Sequence, residues 1–86
     1  MPTISIFYGI IIQMFWADHA PPHFHVLYGE HEALVNIRTL EVFKGHLPKR
    51  ALALALEWAT QHRPELMEDW SLCEQKQPLN RIAPLE

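Results

Sequence analysis

Apolar residues change their spacing near residue 47. Before that point they run together or alternate over short stretches closed by Gly or Pro, the signature of strands. After it they recur at helical spacing. Residues 2–8 alternate only partly and read as a short edge strand or an extended lead-in to Gly9. Ile10 to Trp16 is β-branched and aromatic, too short for a typical helix, and reads as a strand buried on much of both faces. Pro21 and Pro22 lack N–H donors, so Ala17 to Pro22 reads as a loop. His23 to Tyr28 has strand composition, Gly29-Glu30 is a turn, and His31 to Ile37 alternates with Ala33, Val35 and Ile37 on one face. The stretch from 10 to 37 is therefore expected to be a three-stranded antiparallel meander. Arg38 to Leu40 makes a corner, Glu41 to Lys44 can add a short fourth strand, and Lys44-Gly45-His46 is a turn.

Pro48 suits the first turn of a helix, and the Ala/Leu run that follows is rich in strong helix formers. Leu52, Ala55, Leu56 and Ala59 form a stripe that can lie on the sheet, with Leu54 and Trp58 as a second stripe. Pro64 ends this helix and starts another, on which Leu66, Trp70 and Cys73 share an edge and Glu65, Glu68 and Asp69 sit near the N-terminus. The tail, 77–86, reads as a frayed end or as an arm for a partner's sheet edge. The expected fold class is α+β: a three- or four-stranded antiparallel meander over about 4–45, then two helices over about 48–63 and 64–76 packed on one face.

Composition narrows the class. Eighty-six residues make one domain with a thin core. The net charge of −3 argues against bulk coating of nucleic acid, so RNA is an unsupported partner. The charge is uneven: residues 31–50 carry Arg38, Lys44, Lys49 and Arg50 against Glu32 and Glu41. The plain reading of these is solvated charge at a turn and a helix start. One cysteine, Cys73, excludes an internal disulfide and reads as a small buried hydrophobe. The start, Met-Pro-Thr, has no basic n-region, and no apolar run approaches membrane-spanning length; a cytoplasmic location is expected.

The candidate chemistry lies in Asp18-His19-Ala20-Pro21-Pro22-His23-Phe24-His25-Val26, which holds three of the chain's six histidines. On a strand, His23 and His25 share a face, with Phe24 and Val26 on the other. Asp18 and His19, at the end of the preceding strand, can be brought alongside by a hairpin. Such a group can act as general acid and base, His23 and His25 being the catalytic candidates. Arg38, Lys44, Lys49 and Arg50 would then stabilise phosphate charge, beside Asp18 and His19. It can also hold a divalent metal through His23, His25 and either His19 or Asp18, although no cofactor is required by the sequence. The plain alternative is a half-buried strand whose histidines only pack and hydrogen-bond.

Asp18-His19-Ala20-Pro21-Pro22-His23-Phe24-His25-Val26, with Phe7-Tyr8-Gly9-Ile10-Ile11-Ile12, Tyr28-Gly29, Leu47-Pro48, Arg50-Ala51-Leu52-Ala53-Leu54 and Leu56-Glu57-Trp58, resembles the small bacterial proteins grouped as domain of unknown function number 4160. Ser5-Ile6 and Gln13 depart from that pattern, standing where charged or basic residues are common. The resemblance implies a two-gene module like a toxin–antitoxin pair, encoded beside a second small domain of unknown function (number 2442). It therefore implies a cognate small protein as partner and supplies no catalytic residues. The apolar first helix, Trp58, Trp70 and the tail from Ile82 to Leu85 fit a protein-binding role or a homo-oligomer. The competing activity is a metal-independent, ribonuclease-like toxin using His23 and His25.

Overall fold

The computed structural model describes residues 3–86; Met1 and Pro2, where the expected lead-in and the reading of the N-terminus begin, lie outside the described residues. The chain is α+β. Five strands, β1 (Thr3–Phe7), β2 (Ile10–Gln13), β3 (His23–Tyr28), β4 (His31–Asn36) and β5 (Val42–Gly45), precede two helices, α1 (Lys49–Gln61) and α2 (Arg63–Glu74). The strands form one antiparallel sheet in sequence order. This exceeds the expected upper count of four by one, because the partly alternating lead-in pairs with β2, Phe7 opposite Ile10 and Ser5 opposite Ile12, with a register shift between Thr3 and Ser5. The second strand stops at Gln13, three residues short of Trp16, and the chain leaves the sheet there to enter the Pro-Pro loop.

The hairpin from β3 to β4 closes with two residues, which pairs Tyr28 with His31, Val26 with Ala33 and Phe24 with Val35. That register puts Phe24, Val26, Ala33 and Val35 on one face with Ile10 and Ile12, and all six are fully buried. At the end of β5, Gly45 has φ +83°, and a Cβ there would stand 2.1 Å from the backbone oxygen of Glu32. Only glycine lets β5 approach β4 this closely.

The helices cover the buried face. On α1 the buried residues are Ala51, Ala55, Trp58 and Ala59, while Leu52, Leu54 and Leu56 are half-buried on the flanks. The stripe against the sheet is thus rotated from the Leu52/Ala55/Leu56/Ala59 expectation. Its physical cause is Trp58: its ring packs 5.4 Å from Phe7 and 6.1 Å from Phe24, and the alanines beside it give the room for that ring. On α2, Leu66, Trp70 and Cys73 join the same core. Asp69 is also fully buried. No helix among the described residues is long and apolar enough to cross a membrane.

The tail is neither frayed nor extended towards a partner. Ile82 N–H donates to the Ile4 carbonyl (2.8 Å), Asn80 N–H to Asp69 Oδ1 (2.9 Å), and Trp58 Nε1–H to the Ala83 carbonyl (2.8 Å). Ile82 and Leu85 are buried beneath these contacts, so apolar burial holds the tail on its own domain.

Candidate functional site at the start of strand β3

The other face of the sheet carries the polar chemistry. By the same register, Gln13, His25, Leu34 and Lys44 form one row across β2, β3, β4 and β5. Glu32 lies two residues from Leu34 along β4, diagonal to His25. His23 stands at the entry to β3, where Pro21-Pro22 delivers the chain into the sheet and the Pro22 carbonyl accepts from Ile37 N–H (3.0 Å).

The loop brings Asp18 back over the two imidazoles. Its Oδ2 lies 3.1 Å from His23 Nε2 and 2.8 Å from His25 Nε2. The far side of each ring is also held. His23 Nδ1 is 2.7 Å from the Pro21 carbonyl oxygen, and His25 Nδ1 is 2.9 Å from Glu32 Oε2. A carbonyl oxygen and a carboxylate can only accept, so each contact is an Nδ1–H donor. In a neutral imidazole the other nitrogen is then a lone pair. Two lone pairs and a carboxylate oxygen thus converge on one point. A shared proton between nitrogen and oxygen, or one metal ion bound by all three atoms, reconciles them.

Asp18, His23 and His25 each offer one ligand atom, and these atoms lie within 4.8 Å of one another. Ligands on a tetrahedral zinc-class ion with bonds of about 2.0–2.1 Å stand roughly 3.4 Å apart, so the trio is close to a coordination edge. The Pro21 carbonyl and Glu32 are the supports that hold metal-bound histidines in one tautomer. The walls are aromatic: Phe15 meets His25 edge-on at 4.6 Å, while Trp70 and Phe43 pack on His23 at 5.2 and 5.4 Å. His23 is buried and His25 nearly so, and the Asp18 side chain is 28% exposed. The site is therefore dry at one end and open at the other.

The remaining candidates are placed differently. His19 is exposed and lies outside the trio. Lys44 lines a cleft with Asp18, His25, Glu32, Leu34 and Gly45. Arg38 lines a separate cleft with Pro21, Pro22, Met67 and Trp70. Lys49 and Arg50 are exposed on the first turn of α1, the helix that packs on the opposite face of the sheet, and line neither cleft. Burial and then the carboxylates of Asp69, Asp18 and Glu74 push the Cys73 thiol up to about 11, which keeps it a buried thiol rather than a ligand. Sequence reasoning missed the support given by Glu32. The signal was there: a two-residue turn at Gly29-Glu30 places Glu32 diagonal to His25, whereas a three-residue turn does not.

Among known proteins, the family described as Domain of unknown function (DUF4160) matches residues 9–71, which includes β2 to β5, α1 and the whole site. No curated protein and no solved structure matches the chain.

Proposed function

The chain belongs to the DUF4160 family, and on that footing we propose that it is a metal-binding domain whose Asp18, His23 and His25 hold one divalent ion of the zinc class. A single observation carries this reading: both Nδ1 atoms are committed to acceptors, and both Nε2 atoms converge on one oxygen of the Asp18 carboxylate. Two nitrogens and one oxygen suit zinc and iron(II). Three protein ligands leave a position for water or substrate, the pattern of catalytic rather than closed structural sites. An ion there would act as a Lewis acid and lower the pKa of bound water.

The test is metal analysis of protein purified without a histidine tag, with equilibrium binding of zinc or cobalt. About one ion per chain is expected. His23→Ala or His25→Ala should weaken uptake by more than the ~100-fold seen when only a supporting group is lost. His19→Ala should change nothing. Uptake well under one equivalent by the unaltered chain rejects the reading in favour of histidines that only pack and hydrogen-bond.

A second reading rests on a different observation. Ile6, Tyr8, Trp16 and Phe43 are each about half exposed, apolar side chains that a partner can cover. With the two-gene organisation that the family resemblance implies, this supports a surface for a cognate small protein in a toxin–antitoxin-like module. Co-expression with the neighbouring gene tests it: growth arrest by this chain alone, relief by the neighbour and a stable complex are expected. A monomer indifferent to the neighbour removes it, and self-association in its place reassigns these residues to a homo-oligomer.

A further inference from the structure

A cleft opens beside the trio and is shared with an exposed lysine. Asp18, His25, Glu32, Leu34, Lys44 and Gly45 line a space of about 340 Å³, at the small end of the range for ligand sites. Lys44 reaches it by register. It lies opposite Leu34, which lies opposite His25, and residues level across three strands point to one face. Two strand spacings, roughly 10 Å, separate the backbones of His25 and Lys44, a gap that a lysine side chain partly spans. Lys44 is exposed, and no carboxylate among the described residues pairs with it. Its ammonium therefore carries no internal duty. Leu34 stands between His25 and Lys44 in that row and gives the cleft an apolar floor.

The charges then decide the ligand. Lys44 already lines this cleft, and a divalent ion on Asp18, His23 and His25 would add a second positive centre to it. We infer that the cleft takes a phosphate group, free or esterified, bridged between the metal ion and the Lys44 ammonium. This rests on the metal reading above. Lysine contacts phosphate as a point charge, and a polyanion with oxygens on several sides satisfies two separated cations at once. Arg38, on the far side of Pro21-Pro22, takes no part.

The experiment loads the protein with cobalt(II), titrates it with inorganic phosphate and then with phenyl phosphate, and follows the cobalt absorption bands alongside calorimetry. Phosphate is expected to shift the bands saturably and to give no heat with the metal-free chain. Lys44→Ala and Lys44→Gln should each weaken phosphate binding about tenfold, the loss of one charge-assisted contact, with Lys44→Arg retaining most of it. All three should take up cobalt as the parent does, since Lys44 is exposed and is not a ligand. Phenyl phosphate binding like phosphate indicates an ester site, and its exclusion indicates a site for the free ion; both agree with the inference. Cobalt uptake with no phosphate effect, or with Lys44→Ala binding phosphate as tightly as the parent, overturns the inference and leaves the metal reading standing. Phosphate binding equally well without metal overturns it too. No cobalt uptake overturns both.

Discussion

The two faces of the sheet treat polar groups in opposite ways. On the outer face, Asp18, His23, His25 and Glu32 satisfy one another through four contacts of 2.7–3.1 Å, the Pro21 carbonyl included. On the helix-covered side, Asp69 is fully buried with one oxygen bonded to Asn80 N–H, and Oδ2 has no partner among the described residues; Ser5 Oγ is in the same condition. A cluster that commits every ring nitrogen holds a defined geometry and can wait for an ion. A half-satisfied carboxyl in an apolar core is held by packing, at a cost set by its charge. Polar groups on one face satisfy one another; on the other, Asp69 is tolerated because it ties down the tail.

The contrast breaks most sharply at neighbouring residues of β3. Phe24→Ala empties a core position and should cost about 3–5 kcal/mol, a large share of a small domain's stability. His25→Ala, one residue on, should cost the metal-free protein about 1 kcal/mol or less while abolishing ion uptake. Urea unfolding of both variants checks this. Equal losses would mean that the cluster is part of the scaffold.

A smaller effect separates the two carboxylates. Burial, opposed by the Asn80 N–H and reinforced by Glu68 and Glu65, raises the Asp69 pKa above its ordinary value. The unfolded chain therefore releases this proton at lower pH than the folded one. Above the ordinary carboxylate range, unfolding releases a proton, so this group's contribution to stability is full in acid and is lost as pH rises through the raised value. Asp69→Asn keeps the acceptor for Asn80 and removes the charge. Its urea midpoint should match the parent near pH 4 and exceed it near pH 8. Parallel midpoints at both pH values would mean that Asp69 titrates as an ordinary surface acid.

What could be read in the sequence follows from how local the cause is. The alternation His23-Phe24-His25-Val26 announces which side chains share a face, because pleating is a property of adjacent residues. Leu66, Trp70 and Cys73 announce the edge of α2 for the same reason. The face of α1 against the sheet was not legible, because the size of Trp58 and the rings it meets on β1 and β3 decide it. Nor was the burial of Asp69, since acids near a helix start ordinarily stay in water and only the returning tail closes over this one. The pairing of Asp18 with both histidines depends on the path of the long connection from Gln13 to His23, which alternation does not specify.

The returning tail also sets the ways in which this sheet can grow. Ile82 N–H occupies the carbonyl of Ile4 on β1, so that margin is partly capped by the chain itself. At the opposite margin, Val42 to Gly45 are all exposed. An added strand therefore meets least obstruction along β5. Two copies meeting there would leave each only its partly capped β1 margin, so among the described residues the tail hinders open-ended stacking.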